Sequence, residues 1–227
     1  MSDHPLDRPI WHALTGTQRA CAIGAPPALR FAPDLGLFAA AADSSASSIE
    51  ALAALCPSGG MIGLVETSAW PVPPGLTLHR SALCHQMVAG RPTPPAENQF
   101  EVLELGDEDA PEMLALATLT QPGPFFTRTH QLGNFIGVRI DGRLAAMAGE
   151  RLHIDRYREV SGVCTHPDFR GRGLAGALMP IVAARMIARG ETPFLHSYAD
   201  NHSAIALYER LGFRLRRPVT FTVLTRN

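Results

Sequence analysis

A glycine-rich stretch in the second half of the chain offers the clearest chemistry. It runs from Arg170 to Gly176 as RGRGLAG and follows an apolar run that ends at Thr165. Because glycine has no Cβ, backbone amides in such a loop can approach an anion closely. The first turn of a following helix adds N–H groups without intrahelical acceptors and the positive end of the helix dipole. The stretch therefore predicts a binding site for a phosphate or pyrophosphate group.

Glycine-rich turns between a strand and a helix are common, and alone they are weak evidence for a ligand. The flanking residues add specificity, because Arg170-x-x-Gly173-x-Ala175 resembles the (Gln/Arg)-x-x-Gly-x-(Gly/Ala) signature of the GNAT acetyltransferase superfamily. In that superfamily the loop binds the pyrophosphate of acetyl-CoA. The resemblance thus implies acetyl-CoA as the cofactor. The residues expected to bind it here are Arg170, Gly171, Arg172, Gly173, Leu174 and Ala175.

A second signature follows in the order that the superfamily shows. Asn201-x-x-Ala204-x-x-x-Tyr208, with Gly212-Phe213 after it, resembles Asn-x-x-Ala-x-x-x-Tyr…Gly-Phe. The preceding Pro-Phe-Leu-His at 193–196 resembles the FR47-like branch of the superfamily. Two signatures in the right order are more specific than either alone, and the resemblance covers residues 100–227.

The resemblance also implies roles for two residues of the second signature. In the superfamily this tyrosine lies near the cofactor sulfur, so Tyr208 is expected to act as the general acid that protonates the departing thiolate. The alternative for Tyr208 is simple packing beside Leu207 and Leu211. Asn201 is expected to contact the pantetheine arm, as its family counterpart does, although asparagine is also a favoured helix N-cap.

Transfer of acetyl to an amine also requires loss of the amine's proton, since a lysine-like amine has a pKa of about 10.4. Glu159 begins the strand that leads to the glycine-rich loop, where some family members keep a glutamate base. We predict Glu159 as the base, with Glu150 on the neighbouring strand as the reserve candidate. The other interpretation of Glu159 is a solvated charge at the end of a hairpin.

The strand before the loop is expected to contribute backbone groups. In the superfamily this strand splays from its neighbour and meets the pantetheine arm and the thioester oxygen. By resemblance, Val163, Cys164 and Thr165 join the cofactor-binding residues. Cys164 could also be a nucleophile, but no Cys-His-Asn set is evident, so packing is the favoured role for this thiol.

Composition narrows the range of partners. A formal net charge of −1 gives no broad attraction to nucleic acid. The polar first residues and the absence of an apolar run of about 18 residues predict neither a signal peptide nor a membrane span, and hence a cytoplasmic protein. The four cysteines lack CxxC spacing and the nine histidines form no HExxH, so we predict no disulfide framework and no metal site. All basic residues are arginine, a bias that fits a bacterium with a GC-rich genome.

The elements that must position these residues form a regular series after residue 98. Asp141-Gly142 between two apolar runs predicts a hairpin turn, because glycine tolerates positive φ. Strands are predicted at 100–105, 135–140, 144–153, 159–165, 193–198, 213–217 and 219–225, and helices at 108–119, 173–188 and 202–211. This order predicts an α/β fold with a GNAT-type mixed central sheet and flanking helices.

The proline-rich stretch at 91–98 predicts a domain boundary, because prolines exclude helix and favour an extended connector. We therefore expect a smaller α+β N-terminal domain over 1–97, ending in this linker, and a GNAT acetyltransferase domain over 98–227. The first domain is predicted to contain a helix and two strands, at 48–55, 61–66 and 76–79. It could be a degenerate GNAT-like half, a lid or a dimer surface.

These observations together predict an acetyl-CoA-dependent N-acetyltransferase that acts by direct attack of a primary amine. The acceptor is a small-molecule or peptide amine, expected to meet the loop at 122–130, with Phe125 and Phe126, and the face of the N-terminal residues. The alternative for Phe125 and Phe126 is packing in the core, because phenylalanines in such loops are more often core residues than part of a substrate site. A homodimer is an open option. The alternatives are an acyl-CoA-binding sensor without turnover and a transferase of a longer acyl group.

Overall fold

The chain folds around one large mixed β-sheet. A computed structural model describes residues 4–95 and 100–226. In chain order its helices and strands are α1 Pro9–Thr15, β1 Ala22–Ala25, β2 Ala28–Phe31, β3 Ala39–Ala41, α2 Ala46–Ala54, β4 Met61–Glu66, β5 Thr77–Ala89, β6 Leu103–Leu105, α3 Ala110–Thr120, β7 Phe135–Ile140, β8 Arg143–Ile154, β9 Tyr157–Thr165, α4 Leu174–Ala188, β10 Thr192–Tyr198, α5 His202–Arg210 and β11 Phe213–Thr225.

The main sheet has eight strands in the order β4-β11-β5-β10-β9-β8-β7-β6. Every neighbouring pair is antiparallel except β10 and β9, which run parallel. β1, β2 and β3 form a separate three-stranded antiparallel sheet. The predicted α/β fold, with a mixed central sheet, flanking helices and a smaller N-terminal unit, is confirmed.

The two faces of the main sheet carry different cores. Successive residues of a strand point to opposite faces, and Phe194 and Leu195 of β10 illustrate this. Leu195 packs in the cluster that holds the buried side of α4, including Leu178 and Met179. Phe194 packs in the cluster formed with α1 and the N-terminal residues. The helix of the glycine-rich loop and the N-terminal residues therefore cover opposite faces of the sheet.

Strands from the first 97 residues are built into the main sheet. β5 extends well beyond the strand predicted at 76–79 and pairs with β10 on one side and β11 on the other. β4 pairs with β11 at the edge. The predicted boundary itself, with Glu97 and Asn98, lies outside the described residues. The division of the chain there stays a prediction, while the sheet joins residues on both sides of it.

The two strands predicted at 213–217 and 219–225 are one strand in the structure. β11 spans both, and its pairing with β5 shifts register between Leu215 and Arg217. A β-bulge adds a residue to one strand while the ladder continues past it. The prediction of two separate strands is therefore wrong.

β9 and β10 pair over only part of their length. The parallel ladder joins 157–159 to 192–194, although β9 continues to Thr165 and β10 to Tyr198. Within the unpaired part of β9, Gly162 has φ +64°, and the register against β8 shifts there. This bulge bends β9 away from β10. The splay that the family resemblance implied is present.

Replacement of Gly162 by alanine should destabilise the fold. A Cβ there would lie 2.7 Å from Cε1 of the buried Phe135, and φ is positive. Gly142, in the β7–β8 hairpin, has φ +76° with nothing within 4 Å of its Cβ among the described residues. Urea denaturation should show Gly142→Ala costing about 1–2 kcal/mol, from backbone strain alone, and Gly162→Ala costing clearly more. Equal losses would contradict this account of the bulge.

Candidate active site

A cleft opens where β9 and β10 diverge. It contains about 810 Å³ of empty space, part of it open to solvent. Residues 160–163 of β9 and 195–198 of β10 form its two walls. On the face of α4 and α5 it is lined by Met179, Asn201 and Tyr208. The cleft therefore lies at the gap in the sheet, with α4 and α5 beside it.

The opposite side of the cleft comes from residues far apart in the sequence. Phe38, Val65, Cys84 and Phe221 line it, and all four belong to the core cluster of the N-terminal face. The loop at 122–124 also contributes. Three of the four, Phe38, Val65 and Cys84, precede the proline-rich stretch, so the first 97 residues contribute directly to the wall of the cleft.

The glycine-rich loop has the form expected of an anion site. Gly171 and Gly173 both have φ +77°, which side chains with a Cβ rarely adopt. α4 begins directly afterwards at Leu174, and no side chain in the described part of the chain caps its first amides at Gly173. A Cβ at either glycine would meet no described atom within 4 Å. The loop is open, its amides are available, and it fits a pyrophosphate group.

Tyr208 and Asn201 occupy neighbouring positions in the cleft. The Asn201 side chain accepts a hydrogen bond from the Ala204 N–H at 3.3 Å and so caps α5. Asn201 is therefore the N-cap of α5, and its side chain also lines the cleft. Tyr208 is partly buried and makes an edge contact with Phe213, the ring centroids lying 6.4 Å apart. A phenol with the ordinary pKa of 10.0 is protonated at neutral pH, and burial raises the pKa of Tyr208 further.

Glu159 is a fully buried carboxylate rather than a solvated charge at a hairpin end. Arg151 donates to both of its oxygens, from Nε and Nη2, each at 2.8 Å. His196 Nδ1 lies 2.8 Å from Oε1. Burial raises the pKa of Glu159, but the Arg151 charge and these hydrogen bonds lower it more strongly, to about 2. Glu159 is therefore ionised, and it lies behind Arg151 and His196, which line the cleft.

A chain of hydrogen bonds fixes the tautomer of His196. Arg216 Nη1 donates to Gln86 Oε1 at 2.7 Å, and because arginine only donates, that atom is the amide oxygen. The Gln86 amide nitrogen then donates to the Leu6 carbonyl at 2.7 Å and to His196 Nε2 at 3.1 Å. His196 Nε2 is thus an acceptor, and Nδ1–H donates to Glu159. Both ring nitrogens of His196 are therefore engaged in hydrogen bonds.

Glu150, the reserve base, lies away from the cleft. It is 2% exposed, accepts a hydrogen bond from Arg189 Nη2 at 2.8 Å and pairs with Arg158, whose Nε is 3.4 Å away. It is not among the described residues that line the cleft. These contacts tie β8 to β9 and to the end of α4.

The three cofactor-binding candidates of β9 differ in their surroundings. Val163 lines the cleft. Cys164 is buried in the cluster that includes Met113 of α3, and burial raises the pKa of its thiol to about 11. It is therefore an unreactive thiol, in keeping with packing rather than nucleophilic attack. Thr165 pairs with Ala146 of β8.

Several lining residues were missed by the sequence reasoning. Arg151 and His196 fall on predicted strands, but only contact across strands shows that they share Glu159. The predicted acceptor loop does reach the cleft, through 122–124, whereas Phe125 packs edge-on against Phe135 with centroids 5.7 Å apart. Nothing in the sequence indicated that Phe38, Val65 and Cys84 would line the cleft.

In the described part of the chain, no group of three or more His, Cys, Asp and Glu side chains could hold a metal ion, and no helix is long and apolar enough to cross a membrane.

Comparison with known proteins decides the family. A GNAT-family protein of Novosphingobium aromaticivorans DSM 12444 is 48% identical, with a TM-score of 0.93, over 99% of this chain and 100% of that chain. The chain belongs to the GNAT superfamily. The FR47-like protein family matches residues 135–222 of this GNAT chain. A GCN5-related N-acetyltransferase from Kribbella flavida, 21% identical, shares the fold with a TM-score of 0.61 over 89% of this chain and 88% of that one.

Curated relatives match the GNAT chain over shorter stretches. A mycothiol acetyltransferase of Streptomyces coelicolor is 39% identical over 83 residues, which are 36% of this chain and 26% of the relative. An acetyltransferase of Pectobacterium atrosepticum is 46% identical over 50 residues, 21% of this chain and 35% of the relative. The matched stretches therefore span about a third or less of these relatives. GNAT membership indicates a transferase that uses an acyl-CoA.

Replacement of Glu159 by glutamine should show how the ion pair stabilises the GNAT fold. Removing one partner leaves the buried Arg151 unpaired, so Glu159→Gln should lower the free energy of unfolding by about 3–5 kcal/mol at pH 7. Because the folded pKa lies below the ordinary value, the stabilisation is present above pH 4.5 and disappears as pH falls toward about 2. Urea denaturation at a series of pH values measures the difference.

The matched control is Glu112→Gln. Glu112 also pairs with an arginine, Arg139 at 2.9 Å, but its side chain is 51% exposed. Such a pair contributes at most about 1 kcal/mol. A loss at Glu159 that stayed the same from pH 7 to pH 3 would contradict the assigned ionisation.

Proposed function

We propose that this protein is an acetyl-CoA-dependent N-acetyltransferase in which a primary amine attacks the thioester directly. One observation carries the proposal: a single cleft adjoins the helix of the open glycine loop, the gap between β9 and β10, and the phenol of Tyr208. GNAT membership supports acetyl transfer from an acyl-CoA. The choice of an amine as acceptor and the roles of the residues are inferred.

The chain holds the cofactor through two backbone surfaces. The amides of 171–176 are suited to the pyrophosphate, and Arg170 and Arg172 are exposed beside them and can add charge. Along β9, pairing with β10 ends at Glu159, so the edge of 160–165 that faces β10 has no ladder partner among the described residues. That edge includes Val163, Cys164 and Thr165 and can bind the amide groups of a pantetheine arm. Bound acetyl-CoA supplies the thioester.

Tyr208 is proposed as the general acid. The phenol carries a proton at neutral pH, as a donor to a thiolate must, and burial raises its pKa, which extends the protonated range to higher pH. Asn201 lies at the start of the same helix, where its Oδ1 accepts the capping hydrogen bond. Its side-chain N–H groups are not used by that bond, and we propose that they bind the pantetheine arm. Both side chains line the cleft on the face of α4.

Glu159 is the predicted base, and its contacts restrict how it can serve. Both oxygens accept hydrogen bonds already, and a carboxylate with a pKa of about 2 is a weak proton acceptor. We propose that Glu159 acts on the cleft through Arg151 and His196, which it holds in place. The acceptor then enters as the neutral amine, having lost its first proton to solvent. The proton that the nitrogen releases on forming the amide balances the one that Tyr208 gives to the departing thiolate, so that the phenol is restored.

Gly173→Asp should weaken cofactor binding. The added carboxylate would face the pyrophosphate, and like-charge contacts cost several kcal/mol, so calorimetry should show CoA affinity falling by about tenfold or more. Gly190→Asp is the matched control, because Gly190 at the other end of α4 has the same φ of +77° and equally open surroundings among the described residues. It imposes the same backbone strain without touching the loop. Equal CoA affinity in both variants would overturn the assignment of the loop.

Tyr208→Phe should lower kcat by about 10²-fold or more, with little change in KM for acetyl-CoA, since only proton donation is lost. CoA release with a panel of primary amines measures this. In the parent protein, kcat should stay high to a pH above the ordinary tyrosine pKa of 10.0, because burial raises the pKa of Tyr208. That alkaline fall should be absent from the variant.

The matched control for this change is Tyr157→Phe. Tyr157 is buried on the N-terminal face, with its hydroxyl 3.2 Å from His4, and it does not line the cleft. It should keep kcat unchanged. Tight CoA binding by the parent protein without turnover of any amine would favour an acyl-CoA sensor and contradict the proposed enzyme.

A further inference from the structure

The acceptor side of the cleft is apolar. Phe38, Val65, Cys84 and Phe221 line it, with relative exposures of only 4%, 6%, 6% and 7%. They lie across the sheet from Met179 on α4, because they belong to the cluster of the opposite face. The cofactor is expected to arrive from the α4 side, so this surface remains for the second substrate.

Charge is scarce around this surface. Of the described residues lining the cleft, none is Asp or Glu, and Arg151 is the only one with a permanent charge. That charge is compensated by Glu159 behind it, at 2.8 Å, and the guanidinium lies over the Phe38 ring, 4.7 Å from its centroid. Outside the lining, the Arg80 guanidinium lies 4.6 Å from the ring centroid of Tyr198, and the Asp200 carboxylate acts electrostatically on Tyr198 and Cys84 from the same region. Arg151 therefore faces the cleft, whereas the carboxylate of Glu159 that compensates its charge does not.

These conditions discriminate between kinds of amine. A second ammonium group on the acceptor would leave water for a cleft whose described lining residues include no carboxylate to pair with it, which is costly. An alkyl or aromatic body would replace water on Phe38 and Phe221, at about 25 cal/mol per Å² of apolar surface buried. The loop at 122–124, Pro-Gly-Pro, adds no charge from its side.

We propose that the acceptor is a monoamine with an apolar body, alkyl or aromatic, which lies against Phe38, Val65 and Phe221. Polyamines and lysine-like diamines are excluded as good substrates. This inference rests on the proposed transfer to amines and adds the substrate class.

The first experiment compares two amines that differ only in a second ammonium group, pentylamine and cadaverine. With acetyl-CoA and the full-length protein, kcat/KM for pentylamine should exceed that for cadaverine by about tenfold or more, corresponding to about 1.4 kcal/mol. Phenylethylamine should behave like pentylamine. Equal use of both amines, or a preference for cadaverine, would overturn the proposal.

Two variants test whether the preference for pentylamine over cadaverine arises at the lining of the cleft. Pro124→Asp introduces a carboxylate on a partly exposed lining residue, and the ratio of kcat/KM values should shift toward cadaverine by about tenfold. Thr127→Asp is the control, because Thr127 is exposed on the same loop and does not line the cleft. A change that merely disturbed the fold would affect both amines alike. An unchanged ratio in Pro124→Asp would count against this surface as the acceptor site.

A binding measurement separates this proposal from the proposed function. Titration of pentylamine and of cadaverine into the CoA-saturated protein reports acceptor affinity without any chemistry. Tighter binding of pentylamine without turnover would reject the transferase and retain the apolar amine site. Turnover with the opposite preference would retain the transferase and reject the apolar acceptor. A Phe38→Ala variant should weaken pentylamine binding several-fold while CoA affinity stays the same.

Discussion

The loss of one parallel ladder is the constraint on which the rest of the site depends. A sheet is stable where each strand satisfies its neighbour's backbone groups, and β9 and β10 do so only as far as Glu159 and Phe194. Beyond that point the facing edges of β9 and β10 carry backbone N–H and C=O groups without a ladder partner among the described residues. A ligand that accepts and donates hydrogen bonds along such an edge would satisfy them. The positive φ of Gly162 directs β9 into this path. The proposed cofactor site is thus a consequence of how the strands of the sheet pair.

A sheet with such a gap needs another link between its strands, and a row of polar side chains provides it. Arg151 on β8, Glu159 on β9, His196 on β10, Gln86 on β5 and Arg216 on β11 each bond to the next. The row crosses the sheet at the last paired residues, just where the backbone ladder stops. Buried networks of this kind stabilise strongly when every member is satisfied and are costly when one is removed. The row therefore holds the cleft at a fixed width.

Local patterns in the sequence predicted the parts of the structure that local physics decides. The Asp141-Gly142 hairpin, the strand before the glycine-rich loop and the helices after it follow from turn chemistry and apolar periodicity. The environment of Glu159 could not be predicted in this way. Its burial depends on Arg151 and His196 arriving from neighbouring strands, and strand order is not written in any one segment. The bulge that joins the last two predicted strands was hidden for the same reason.

The same distinction separates the two halves of the site. The two family signatures lie on the loop and helix proposed to bind the cofactor, and a pyrophosphate needs the same kind of backbone donors in any protein that binds it. The acceptor side is made from Phe38, Val65 and Cys84, which precede the proline-rich stretch, and β5 enters the sheet between β10 and β11. A fragment limited to the signature-bearing residues would lack a wall of its own cleft. The proposed acceptor surface therefore comes largely from the part of the chain in which the sequence shows no motif, so its substrate preference has to be derived from the chemistry of the assembled surface.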